Sequence, residues 1–194
     1  VDTGDRIHRA EGSFSGTLGY VMTELEDGTL LSDAVQKAHA QGFTEPDPVL
    51  DLSGVDVARK ALILARYAGL LTRDVPVQLT GLVPSDWAGL PMDELMERLR
   101  AVDADFVQRI DPARERGEVL RFVATVEQDN VVVGPQSVPA DSPLGRLRGP
   151  DNLVVFHSER YNDRPLVVSG PGAGVEVTAM GVLGDLLLQL RGHR

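Results

Sequence analysis

The sequence contains no cysteine, so disulfides, thiolate catalysis and cysteine-ligated metal sites are excluded. Aromatic residues are also scarce, with five Phe, three Tyr and one Trp, and the core therefore has to consist mainly of Leu, Val and Ala. No apolar run approaches the roughly 20 residues that span a bilayer, and the polar N-terminus lacks the apolar segment of a signal peptide. We therefore expect no membrane partner and, by default, a cytoplasmic location.

Positive charge is in deficit, because 19 Lys and Arg are set against 29 Asp and Glu, for a formal net charge of −10. A surface of that sign repels nucleic acid and anionic membranes, so neither is expected as a partner. The four histidines are scattered without the spacing of a ligand set, and no metal site is predicted. The remaining composition, 42% hydrophobic and 25% charged over 194 residues, is typical of one globular domain.

The order of predicted elements indicates an α+β fold. A short strand over 5–11 precedes helices that begin near Thr17 and Ser32. A helix over 53–69 and a strand over 75–84 follow, and then helices over 91–102 and 103–116, the latter with a break near Pro112. β-branched runs then predict two strand pairs, joined at 129–130 and 161–163. A leucine-rich helix over 177–190, expected to be buried, closes the chain. We predict a mixed or antiparallel sheet covered by helices.

The densest group of polar residues lies between Gly42 and Lys60, in the segment GFTEPDPVLDLSGVDVARK. Its prolines exclude a regular helix through the first part, and Ser53 is predicted to cap the helix that follows. Asp56 and Lys60 are four residues apart and share one face of that helix. The spacing alone favours an ordinary exposed ion pair, which is worth little.

Four segments together resemble the homoserine dehydrogenase family. They are EGSFSGTLGY, the TEPDP…DLSG…DVARK stretch, LRFVATV and GPGAGVEVTAMGVLGDLL, and they keep the family's order over nearly all 194 residues. The resemblance implies hydride transfer between a nicotinamide cofactor, NADP or NAD, and aspartate 4-semialdehyde, giving homoserine for threonine, methionine and isoleucine synthesis. A different semialdehyde dehydrogenase of similar architecture is an alternative, but those enzymes use a cysteine nucleophile and this sequence has no cysteine.

The resemblance also assigns roles to acids and a lysine in that stretch. Lys60 matches the family's proton-transfer lysine, and Asp56 matches the acid that orients the lysine and the substrate. Glu45 matches the carboxylate that receives the substrate ammonium, and Asp51 is a second candidate for the polar end of the substrate. The alternative for Asp51 is a cap on the loop backbone.

Further contacts are implied at the glycines and at Thr17. Gly16 and Thr17 match backbone and hydroxyl contacts to the substrate, although Thr17 equally suits a plain helix start. Gly174, in the turn GPGAG, and Gly42 match cofactor contacts, where backbone without a side chain permits close approach. A tight strand-to-helix turn explains the same glycines without a ligand.

Two residues depart from the family pattern. Phe43 occupies a position that is commonly tyrosine in the family, so any hydroxyl contact there is lost. Leu50 occupies a position where some members carry an additional acid.

For residues 1–194 the resemblance implies a substrate-binding and dimerisation domain without its Rossmann, NAD(P)-binding domain, which would precede residue 1. We therefore expect a homodimer, and we expect these residues alone to be inactive. The competing interpretation is a non-catalytic module for dimerisation or amino-acid binding. Convergence of Lys60, Asp56 and Glu45 on one cleft would favour the enzyme, and side chains on separate surfaces would favour the module.

Overall fold

A six-stranded sheet forms the centre of the computed structural model, which describes residues 4–192. The strands in chain order are β1 Ile7–Ser13, β2 Val77–Leu79, β3 Glu118–Glu127, β4 Asn130–Pro139, β5 Asp151–Ser158 and β6 Leu166–Pro171. Their order across the sheet is β2-β4-β3-β1-β5-β6. Among these strands of residues 4–192, only the short β2 runs parallel to its neighbour, and every other pairing is antiparallel. The predicted mixed sheet of an α+β fold is confirmed.

Six helices surround this sheet within the described residues. They are α1 Gly16–Glu26, α2 Leu31–Ala40, α3 Pro48–Leu52, α4 Val55–Tyr67, α5 Met92–Glu115 and α6 Val175–Gly192, with a single helical turn at Ser85–Trp87. Side chains alternate along a strand, so Leu120, Phe122, Ala124 and Val126 of β3 all face the helices, and all four are buried. On the opposite face, Val123 packs in a smaller cluster beneath the loop 140–150.

The predicted break near Pro112 is wrong, because α5 is one helix with this proline inside it. Phe106 and Ala113 are buried on either side of the proline, which holds the last turns of the helix in place. Pro112 itself is exposed, so water can replace the backbone hydrogen bond that proline removes.

The predicted cap at Ser53 is also wrong. Ser53 ends the short helix α3, which was not predicted, and its hydroxyl donates to the Leu50 carbonyl at 3.0 Å. Gly54 is the cap residue of α4, with φ +72°. A Cβ at Gly54 would lie 2.5 Å from the Phe122 ring, so glycine is required both by the backbone angle and by the packed core.

A second helix start depends on a residue far away in sequence. The cap position of α2, Leu30, makes no side-chain hydrogen bond. Instead Asp103 of α5 accepts from the Ser32 amide at 2.9 Å and from the Ser32 hydroxyl at 2.7 Å. This buried carboxylate satisfies donors at the helix start and joins α2 to α5.

The C-terminal helix α6 is exposed, contrary to the prediction that it is buried. Met180, Leu188 and Leu190 are 65–70% exposed, and the edge strand β6 exposes Leu166, Val167 and Val168 as well. The leucines of this helix suggested burial, but within residues 4–192 no other element covers them. None of the described helices, α6 included, is long and apolar enough to cross a membrane.

Candidate active site

The turn from β1 into α1 lies beside the candidate site, since Thr17 hydrogen-bonds Asp51, which lines the cavity. Ser15 caps α1 by accepting from the Leu18 amide at 3.2 Å. At Gly16 an added Cβ would lie 3.1 Å from the Pro150 carbonyl oxygen, so glycine permits this close approach. Thr17 is buried in the first turn, and this turn fixes its hydroxyl toward the acidic loop.

Asp51 links the acidic loop to α1. The Thr17 hydroxyl lies within hydrogen-bond distance of both the Phe43 carbonyl and Asp51 Oδ1, the latter at 3.1 Å. Asp51 Oδ2 accepts from the Glu45 amide at 2.8 Å. Burial raises the pKa of the Asp51 carboxyl, the two hydrogen bonds oppose that shift, and the charges of Glu45 and Asp56 add to it.

The first two turns of α4 present the amine. Lys60 Nζ lies 2.7 Å from Asp56 Oδ2, and it donates to the Phe14 carbonyl at 3.1 Å. The second contact separates this pair from an ordinary surface ion pair, because it fixes the amine at the end of β1. The side chains of Lys60 and Asp56 are 48% and 63% exposed, so the pair contributes little to stability.

One cavity of about 390 Å³ brings the predicted acids together. Glu45, Asp51 and Asp56 all line it. Its remaining lining residues are Val49, Leu50, Ser53, Val55, Arg59, Ser85 and Ala88. Lys60 adjoins the cavity through Asp56, and Thr17 adjoins it through Asp51. A pocket of this volume accepts a small amino-acid derivative.

The two predicted cofactor glycines lie outside this cavity. Gly42 ends α2 with φ +73°, and Gly174 precedes α6 with φ +143°. A Cβ at Gly42 would meet nothing within 4 Å, and one at Gly174 would meet only the Val177 side chain, at 4.0 Å. Both glycines therefore leave open backbone that a flat ligand group could approach. Gly172 differs, since a Cβ there would overlap the Asn152 amide.

Sequence reasoning did not identify several parts of the site. Arg59 could have been found, because it follows Asp56 by three residues on the same helix. The Phe14 carbonyl and the wall formed by Ser85 and Ala88 carry no sequence signal, since tertiary folding alone brings them here. The Phe43 side chain has no hydroxyl to offer a ligand, but its backbone carbonyl lies within hydrogen-bond distance of the Thr17 hydroxyl.

Together these features define an α+β domain with a cavity that is lined by three carboxylates, one of which pairs with the Lys60 amine. Residues 1–187 match the family pattern described as homoserine dehydrogenase, and the chain belongs to that family.

Relatives and solved structures agree with this assignment. A chloroplastic bifunctional aspartokinase/homoserine dehydrogenase of Daucus carota is 44% identical over 192 residues, 96% of this chain and 21% of the relative. A homoserine dehydrogenase of Emericella nidulans is 40% identical over 203 residues, which cover 96% of this chain and 54% of the relative. A Candida auris protein of unknown function is similar in structure, with TM-score 0.86, 40% identity, and coverage of 95% and 54%. This chain thus spans about a fifth to a half of these proteins.

Similarity in fold extends to a hyperthermophilic archaeal homoserine dehydrogenase in complex with NADPH. It is 24% identical, has a TM-score of 0.69, and is matched over 95% of this chain and 48% of its own.

Proposed function

We propose that this chain supplies the substrate-binding and proton-transfer part of a homoserine dehydrogenase. The reaction interconverts aspartate 4-semialdehyde and homoserine with NAD(P)H or NAD(P)⁺, in the synthesis of threonine, methionine and isoleucine. The observation that carries this proposal is the convergence of Glu45, Asp51 and Asp56 on one cavity beside the Lys60 amine. A non-catalytic module has no need of that arrangement.

Lys60 is the proton donor to the substrate oxygen in the direction of reduction. A lysine ammonium carries three N–H donors, and two of these are engaged by Asp56 and the Phe14 carbonyl. The third can point at an aldehyde oxygen, which takes the proton as it becomes the homoserine hydroxyl. Asp56 holds the amine in place and stabilises its charge.

Glu45 receives the substrate ammonium in this proposal. Its side chain is exposed, and among residues 4–192 its carboxylate has no hydrogen-bond or ion-pair partner. Asp51 fixes the Glu45 backbone and Thr17, and its own negative charge faces the same cavity. The first turn of α1, at Gly16 and Thr17, adds backbone N–H donors suited to the substrate carboxylate.

A nicotinamide cofactor, when bound, supplies the hydride that reduces the aldehyde carbon. Gly42 and Gly174 offer open backbone for an edge contact with it. We assign most of its binding to an NAD(P)-binding domain outside residues 1–194. The archaeal relative with NADPH supports the use of a nicotinamide cofactor.

A homodimer is also part of the proposal. The edge strand β6 exposes three consecutive apolar residues, Leu166–Val168, at 39–54%. Burial of such a strand and of the adjoining sheet face against a second copy removes this apolar surface from water.

The proposal is tested by following NAD(P)H absorbance in the full-length protein with aspartate 4-semialdehyde. We expect turnover, and we expect Glu45→Gln to raise KM for this substrate at least tenfold, because it loses the partner of the substrate ammonium. Asp86→Asn, on the neighbouring exposed turn, is the matched control and should change nothing. No turnover in the full-length protein, or equal KM values for Glu45→Gln and the wild type, would contradict the proposal.

A further inference from the structure

The Asp47 carboxylate accepts hydrogen bonds from two separate parts of the chain. Its Oδ1 accepts from the Val49 amide at 3.0 Å and caps α3. Its Oδ2 accepts from the Gly89 amide at 2.8 Å, 42 residues away in sequence. A helix cap needs only the first of these bonds.

The second bond fastens the part of the cavity wall formed by Ser85 and Ala88. These two residues line the cavity together with Asp51 and Asp56, and Gly89 follows Ala88 directly. At the start of the same connection, the Leu82 amide donates to the Leu52 carbonyl at 2.8 Å. The connection 82–89 is thus tied to the last residue of α3 by one bond and to its cap residue by the other.

We propose that Asp47 is a positioning residue that sets the distance between α3 and the 85–88 wall of the substrate cavity. It does not line the cavity itself, so it acts through α3, which carries Asp51, and through the 85–88 wall. The flanking residues Pro46 and Pro48 restrict the backbone on both sides, which holds the carboxylate where both amides can reach it. This inference rests on the proposed function, because the cavity is taken to hold the amino-acid substrate.

Asp47→Ser tests the inference in the full-length protein. Serine retains an oxygen that caps α3 but is too short to bond Gly89 as well. We expect KM for aspartate 4-semialdehyde to rise about tenfold or more, with kcat within about threefold and KM for the cofactor unchanged, because the wall shifts while the reacting groups stay in place. A residue that merely caps α3 would give wild-type kinetics in this variant.

Hydrogen exchange at the Gly89 amide gives a readout that does not depend on catalysis. Exchange there should accelerate in Asp47→Ser and in Asp47→Asn, since both lose the second acceptor. Asp103→Asn is the matched control, because Asp103 also accepts two hydrogen bonds and lines no part of this cavity. It should lower stability without changing KM or exchange at Gly89.

The possible failures are distinguishable. Wild-type KM in both Asp47 variants, or unchanged exchange at Gly89, would overturn the role of Asp47 while leaving the proposed reaction intact. An inactive wild-type protein would instead refute the proposed function, and the Gly89 exchange would still decide whether Asp47 holds the wall.

Discussion

Two regions of this chain differ in how completely their side chains are engaged. In the region from Phe14 to Lys60, several polar side chains have partners within the chain, as Thr17 and Lys60 illustrate, and the Glu45 carboxylate is an exception among the described residues. In the C-terminal region, β6 and α6 carry apolar residues that are largely exposed, among them Val168 at 54% and Leu188 at 66% exposure. The hydrogen bonds of the first region hold its side chains in place, whereas the second region exposes apolar surface that the proposed homodimer would bury.

The largest expected effect comes from Lys60→Ala in the first region. Loss of the proton donor should lower kcat by about 10²- to 10⁴-fold, measured by cofactor absorbance in the full-length protein. Lys37→Ala is the control, since the other lysine also pairs with a carboxylate at 2.7 Å and is equally exposed, at 50%. Unchanged turnover in Lys60→Ala would remove the catalytic role from this region.

Val167→Glu tests the second region. If β6 lies in a homodimer interface, a charge buried there should weaken the dimer about a hundredfold or more, and sedimentation at micromolar concentration should show monomers. Val107→Glu on α5 is matched in exposure, at 41% against 39%, and should remain dimeric. A wild-type protein that sediments only as a monomer would contradict the proposed dimer.

The same contrast separates what could be predicted from the sequence from what could not. The strands were predictable because β-branched runs such as LRFVATV alternate over a pleated sheet. The identity of Lys60, Asp56 and Glu45 came from the family resemblance. In the structure Glu45 and Asp56 line one cavity, and Lys60 pairs with Asp56 beside it.

The errors arose where tertiary contacts overrule local signals. Serine is a residue type typical of helix caps, but the cap of α4 is Gly54, one residue further on. Its positive φ and the Phe122 ring packed against it favour glycine at this position. The cap on α2 comes from Asp103, 71 residues from Ser32, which no local pattern reveals. The exposure of α6 could not be predicted from its leucines, because composition does not show whether the rest of the fold packs against a helix.

Gly54→Ala is expected to have the third-largest effect, here on stability. Alanine at this positive φ costs about 1–2 kcal/mol, and the overlap of its methyl group with Phe122 adds about 1–3 kcal/mol. Urea unfolding measures the sum. Gly69→Ala separates the two contributions, since Gly69 has the same φ of +72° but nothing within 4 Å of an added Cβ. Equal losses in both variants would show that the core tolerates the added methyl group.

Asp51→Asn should have the smallest effect, visible as a pH dependence of stability. Burial raises the pKa of Asp51 above its ordinary value of 3.8, so the folded state binds the proton more tightly than the unfolded state. The stabilising contribution of Asp51 is therefore complete below pH 3.8 and is lost as the pH rises through the raised value. Wild type should lose stability relative to Asp51→Asn over that window, measured by urea unfolding.

Asp129 provides the opposite sign within the same protein. Hydrogen bonds from the Thr72 hydroxyl and amide lower the pKa of Asp129, so its contribution is present above pH 3.8 and is lost as the pH falls through the lowered value. Wild type should therefore gain stability relative to Asp129→Asn as the pH rises. Parallel pH profiles for the two variants would mean that burial does not govern the Asp51 carboxyl, and the first region would then be less enclosed than its hydrogen bonds imply.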